Sequence, residues 1–195
     1  DRFRSVEEMQ AHLGVPVMTI VRQLSPIDAT GPDAIQIHVH SDSPESEAFR
    51  TLRTTLSLTD RESREIVVSS TEPGDGKTTV LANLAVAYAQ SGKKTLLIDA
   101  DLRRPGLTAM LGLRGTDGLS SVIRGQGSTA QLAAAMVRPS GIDGLDVLSS
   151  GPRPTNPAEL LASTRFSELL GWAEGAYDQI LIDSPPALAT SDTAL

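Results

Sequence analysis

The chain has 195 residues, 39% of them hydrophobic, which is enough for one ordinary domain with its own core. A formal net charge of −7 and few aromatics (Trp 1, Tyr 2, Phe 3) argue against a nucleic-acid partner, which rewards basic patches and stacking surfaces. Cysteine is absent, so no disulfide or thiolate metal site can form, and no apolar run approaches the ~18 residues of a membrane helix.

Val6, Met9 and Leu13 stand at helical spacing, so residues 1–24 are expected to open with a short amphipathic helix. Gly14 ends it, and the run Val15–Val21 reads as a strand. Residues 25–46 are rich in Pro, Ser, Asp and Gly and read as a linker. Inside it, Ile35–Val39 has the composition of a short edge strand with His38 and His40 on one side. A solvated strand face explains that pair better than a metal site. From Glu45 to Leu58 the period is helical, with Phe49, Leu52 and Leu56 in one apolar stripe and Glu47, Arg50 and Arg53 outside it. IVVSS at 66–70 suits a buried strand. A helix follows from Lys77 to about Ser91, stopped by Gly92.

The strand TLLID covers 95–99, and helical segments separated by glycines fill 105–136. LDVLS at 145–149 is the next strand. Asn156 then opens a helix as N-cap, with Pro157 at the first helical position and Glu159 placed to reach back as in a capping box. A last strand, QILID, ends at Asp183. Alternating strands and helices predict an α/β fold: a doubly wound, mostly parallel sheet in a three-layer α/β/α P-loop domain. The division expected is a linker-type segment at 1–44 and the P-loop domain at 45–195. The chain starts at Asp1 rather than Met and stops just beyond a strand of a sheet type that usually continues. It therefore reads as part of a longer polypeptide, incomplete at its C-terminal end.

Three motifs carry the chemistry. SSTEPGDGKTT at 69–79 lies between a predicted strand and a predicted helix, the setting of a phosphate loop. Pro73, Gly74, Asp75, Gly76, Lys77, Thr78 and Thr79 would line it. Gly74 and Gly76 let backbone N–H groups turn inward, Lys77 supplies a point charge for β- and γ-phosphates, and the Thr78 hydroxyl can ligate Mg²⁺. Thr71 stands where the strict pattern has its first glycine. TLLIDADLRRP at 95–105 places Asp99, Asp101 and Arg103 just past a strand, and ILIDSPP at 180–186 delivers Asp183 to the same edge. Active groups of open α/β sheets gather outside the carboxyl ends of strands. The three motifs together point to ATP and Mg²⁺, with Thr78, Asp101 and Asp183 on the metal. Spacing alone does not separate Asp99 from Asp101.

EPGDGKTT, LLIDADLR and ILIDSPP resemble the Walker A, A′ and B motifs of the bacterial tyrosine kinases of exopolysaccharide and capsule synthesis. SPESEAFRTLRTTL resembles their ExxRxxR helix, GPRPTNPAELL their Gly-Pro loop with NPxELL, and RSVEEMQAHLGVPVMTIV their linker before the kinase core. Glu72 stands where the related Min and Par ATPases carry a signature lysine, which favours the kinase branch. The resemblance implies an autophosphorylating, ATP-dependent protein tyrosine kinase on the cytoplasmic face of the bacterial inner membrane, this part itself being soluble. It implies Asp99 as the group that deprotonates the acceptor tyrosine. Arg103 stabilises either transferring charge or the turn. Glu47, Arg50 and Arg53 would bind a neighbouring subunit in a ring. Implied partners are a membrane-spanning polysaccharide co-polymerase fused upstream and a cognate tyrosine phosphatase. A Min/Par-type assembly switch and a catalytically silent regulator of the co-polymerase are the alternatives. The family's tyrosine-rich tail has no counterpart here, and Tyr88 and Tyr177 read as packed helix residues rather than acceptors.

Overall fold

The computed structural model describes residues 5–59 and 63–187. The strands are β1 (Glu65–Val68), β2 (Thr95–Asp99), β3 (Arg138–Ile142), β4 (Leu145–Leu148) and β5 (Gln179–Asp183). They form one sheet in the order β1-β5-β2-β4-β3, parallel except for β3. Every residue of the two central strands, β2 and β5, is buried, as expected where both faces are covered. Leu97 and Leu181 pack to one side with the α4 helix (Lys77–Gln90), together with α3 (Pro44–Thr59) and α2 (Gln36–Val39). Leu96, Ile98, Ile180 and Ile182 pack to the other side with α6 (Leu119–Arg124), α7 (Thr129–Met136) and α9 (Thr164–Ala176). The remaining helices are α1 (Val6–Leu13), α5 (Gly106–Met110) and α8 (Pro157–Leu161). The expected α/β architecture is the observed one.

Four sequence expectations need correction. Val15–Val21 forms no strand, and Val15 and Ile20 are exposed. The run 35–39 is not an edge strand but the start and body of α2, with Ile35 and Ile37 fully buried and His38 and His40 exposed. Its backbone is claimed by the core: the Ile37 N–H donates to Asn83 Oδ1 of α4 at 2.8 Å. Within the expected linker, residues 35–37 thus pack into the core, while residues 38–42 are exposed. Asn156 caps no backbone N–H with its side chain; its Nδ2 donates to Glu159 Oε2 at 2.8 Å, so the capping box does not form. β3 was not expected at all. Pro139 and Gly141 sit inside it, which only a bulged edge strand tolerates, and its register shifts between Pro139 and Ile142.

Ile37→Ala should therefore destabilise the domain by about 2–5 kcal/mol, the usual cost of emptying a buried aliphatic site. Urea unfolding measures it. A change within about 0.5 kcal/mol would mean that residues 35–39 behave as a surface linker after all.

Candidate functional site

Parallel pairing of β2 with β5 sets Asp99 opposite Asp183 at the carboxyl ends of the two central strands. The chain continues the pairing, since the Ala100 N–H donates to the Asp183 carbonyl at 2.9 Å. On the other side of β5, Ser184 donates from its N–H and its hydroxyl to the Val68 carbonyl of β1. Between β1 and α4 the loop turns at Gly74 (φ 96°) and Gly76 (φ 89°), in the left-handed region that suits glycine. Glu72 N–H donates to Asp75 Oδ2 at 2.8 Å, so Asp75 shapes the loop from within.

The loop, the β2 end and the β5 end enclose a cavity of about 350 Å³. Of the expected loop residues, Pro73, Gly74, Gly76, Lys77, Thr78 and Thr79 line it, with Asp101 opposite. Lys77 Nζ lies 2.9 Å from Asp183 Oδ1 and 3.2 Å from Asp101 Oδ2. The Thr78 hydroxyl donates to Asp183 Oδ2 at 2.6 Å. Lys77, Thr78, Asp101 and Asp183 are therefore brought together. Burial alone would lower the Lys77 ammonium, but the hydrogen bond and charge of Asp183, then Asp101, outweigh it and raise its pKa. Burial raises Asp183, against the opposing pull of Thr78 and Lys77.

The structure separates Asp99 from Asp101, which spacing could not. Asp101 faces Lys77. Asp99 is fully buried behind it and does not line the cavity. Its Oδ2 accepts from the Thr108 N–H and the Thr108 hydroxyl, both at 2.7 Å, and its Oδ1 from the Asp101 N–H at 3.2 Å. Burial nevertheless pushes its carboxyl up to about 7, with the charges of Asp183 and Asp101 adding to the shift. Arg103 does not line the phosphate-loop cavity but a neighbouring one, and Arg104 lines both. Sequence reasoning missed Arg104, Gly106 and Pro186, which complete the cavity wall. Glycine at 106 suits a close approach, because a Cβ there would come within 3.1 Å of Thr78 Oγ1.

Tyr88 and Tyr177 are both packed, as expected. Tyr88 is buried in α4, and the Tyr177 hydroxyl donates to Asp146 Oδ2 at 2.9 Å while burial raises its pKa. On α3, Arg50 pairs with Glu47 at 3.1 Å and donates to the Ser41 carbonyl. Arg53 does not simply project outward: its Nη1 donates to the Ala87 carbonyl of α4 at 3.2 Å. Among the described residues no three carboxylates, histidines or cysteines form a metal cage. Mg²⁺ does not need one, since it takes one or two protein oxygens and fills its shell from phosphates and water. The Thr78 hydroxyl suits that role, because its proton goes to Asp183 and its lone pairs remain for a cation. No described helix is long and apolar enough to cross a membrane.

The family model AAA_31, an AAA domain, matches residues 63–194. The chain is 46% identical over 152 residues to the tyrosine-protein kinase YwqD of Bacillus subtilis, covering 77% of this chain and 62% of that protein. It is similar to the kinase domain of the Escherichia coli tyrosine kinase ETK (TM-score 0.85, 31% identity, 97% of this chain and 76% of the other). The septum site-determining protein MinD of Pyrococcus horikoshii, complexed with Mg-ADP, is a more distant likeness (TM-score 0.51, 30% identity, 64% of this chain and 50% of the other).

The pKa of Asp99 fixes a pH dependence of stability. Its carboxyl titrates at 3.8 ordinarily and at about 7 in the fold, so the native state keeps a proton that the unfolded chain loses between those values. Stability present below 3.8 is lost as pH rises through about 7, and Asp183 tilts the same way. Asp99→Asn should flatten this decline by up to about 1.4 kcal/mol per pH unit. Urea midpoints between pH 4.5 and 7.5 report it, and an unchanged slope would contradict the assigned burial.

Proposed function

The chain belongs to the bacterial tyrosine-kinase family of AAA_31 P-loop domains, and on that premise we propose that it is the catalytic part of an ATP-dependent protein tyrosine kinase acting in exopolysaccharide or capsule synthesis. The observation that carries the reading is the convergence of Lys77, Thr78 and Asp101 on one cavity, with the buried Asp183 bonded to Lys77 and Thr78 beneath them, in a chain that matches a tyrosine-kinase domain over 97% of its length. The likeness to MinD spans only 64% of the chain, which is why the assembly-switch alternative ranks second.

In this proposal the N–H groups of the glycine loop and the Lys77 ammonium hold the phosphates of ATP. Lys77 exchanges its carboxylate partners for phosphate oxygens, with its charge already secured by its raised pKa. Thr78, Asp101 and Asp183 would hold Mg²⁺ directly or through water, and the ion would supply charge neutralisation to the phosphates. Asp99 takes the proton of the acceptor hydroxyl. A carboxyl poised near 7 suits a general base at neutral pH. Reaching the acceptor requires Asp99 to exchange its Thr108 bonds for the phenol. Arg104 faces the same cavity and is placed to stabilise transferring charge. Tyr88 and Tyr177 are both buried, so the acceptor tyrosine lies outside the described fold.

The proposed setting is the inner-membrane face beside a membrane-spanning co-polymerase, with a cognate phosphatase reversing the modification. Self-assembly would run through the exposed part of α3, where Glu47 and Arg50 pair; light scattering against concentration decides it.

Lys77→Met should lower tyrosine phosphorylation from labelled ATP by about 10²-fold or more, since a charge-assisted contact to a transferring phosphate is lost. Asp183→Asn should raise the Mg²⁺ concentration needed for nucleotide binding. Undiminished labelling by Lys77→Met, in a protein that still melts cooperatively, would overturn the site assignment.

A further inference from the structure

Beside the phosphate-loop cavity lies a second and larger one, of about 630 Å³, that the proposed reaction does not use. Its walls carry four arginines: Arg103, Arg104, Arg114 and Arg153. Arg103 and Arg104 come from the turn after β2, Arg114 from the turn after α5, and Arg153 from the loop between β4 and α8. Three separate chain segments thus bring like charges to one concavity. The described residues show no carboxylate within ion-pair distance of any of the four guanidinium groups. Their side chains make none of the observed side-chain hydrogen bonds either, although Arg50, Arg53, Arg64 and Arg165 all do. The chain as a whole is acidic, at −7, so four clustered and unpaired cations run against its average.

Like charges gathered this way repel one another, and an anion relieves the repulsion. Guanidinium groups bind carboxylate and phosphate alike in bidentate fashion, but a phosphate monoester brings roughly two negative charges and three acceptor oxygens, which several clustered arginines match better than a single carboxylate does. The rest of the lining includes Pro105, Ala109 and Pro152, apolar surfaces against which a ring can lie. Arg104 and Gly106 line both cavities, so an occupant of the arginine pocket sits next to the phosphate loop. The pocket floor is built firmly. The Ser150 N–H donates to Thr108 Oγ1 at 2.9 Å, and the Ser120 hydroxyl donates to the Pro152 carbonyl at 2.6 Å.

We propose that this four-arginine pocket is a binding site for phosphotyrosine presented by a partner chain, one that retains an already phosphorylated acceptor beside the active centre. The phosphate meets Arg114 and Arg153, and the phenyl ring lies against Pro105 and Pro152. The ligand is not a tyrosine of the described fold, since Tyr88 and Tyr177 are buried. The choice of phosphotyrosine over other phosphate monoesters rests on the kinase reading; the presence of an anion site does not.

The test is a binding measurement that needs no catalysis. Fluorescence anisotropy is read with one labelled tyrosine peptide in phosphorylated and unphosphorylated forms, against wild type and the Arg114→Gln/Arg153→Gln double variant. Neither residue lines the phosphate-loop cavity, so binding of a fluorescent ATP analogue serves as the folding control. The proposal expects the phosphorylated peptide to bind at least about 10-fold more tightly, a preference the double variant loses while keeping its affinity for the nucleotide. Competition by inorganic phosphate and by phosphoserine peptide distinguishes the sources. If either displaces the probe as well as phosphotyrosine peptide does, the site takes phosphate without reading the ring, and the proposal is overturned. Equal binding of the two peptide forms, or an unaltered preference in the double variant, overturns it as well. These outcomes leave the kinase reading standing, whereas absence of tyrosine labelling by the wild-type protein would sink that reading and leave the anion site intact.

Discussion

Two neighbouring parallel strands that each end in an aspartate create an electrostatic problem on which the rest of the site depends. In-register pairing of β2 with β5 sets Asp99 beside Asp183, and Asp101 follows two residues later. Three carboxylates at one sheet edge cannot all stay ionised in a dry interior without compensation. The fold resolves this in two ways. Lys77 places one ammonium between Asp101 and Asp183. Asp99 is withdrawn behind them, given to Thr108, and shifted toward neutrality. The arrangement stores a cation and two acidic groups where a phosphate chain and a metal ion could replace their mutual contacts.

The scaffold explains why those groups hold their places. Both faces of β2 and β5 are covered, so their ends have little freedom, and α4 is buried along Leu81–Ala89. Lys77 and Thr78 are the first residues of that helix, so its burial positions them. Gly106 lets the start of α5 approach Thr78, and the same short helix supplies Thr108 to Asp99. One turn after β2 thus packs against the phosphate loop and restrains the second carboxylate at once.

Much of this was legible in the sequence, and the exceptions have physical causes. β2 and β5 read correctly because TLLID and QILID each carry three consecutive apolar residues, a short unbroken run that suits a strand covered on both faces. Asp99 and Asp183 were legible because each ends such a strand, and Asp101 because it follows two residues later. Their division of labour was not, since it depends on Thr108, nine residues beyond Asp99. α2 was misread because Ile35, Ile37 and Val39 alternate as a strand does; the deciding bond, from Ile37 to Asn83, spans 46 residues. β3 was hidden by its proline and glycine. The arginine pocket drew no attention because three distant segments meet there, and nothing in the sequence shows that the motifs at 95–105 and 151–161 share one concavity with Arg114.

The central claim is that the phosphate loop, the β2 turn and the end of β5 form one nucleotide site. The most direct measurement is an amide NMR titration of the chain with ATP and Mg²⁺. The account predicts that the largest shifts fall at Gly74, Gly76, Lys77 and Thr78 and extend to Asp101 and Asp183, sparing the exposed cavity around Arg64 and Glu174. Shifts centred on another cavity, with the phosphate-loop amides unmoved at saturating nucleotide, would contradict it.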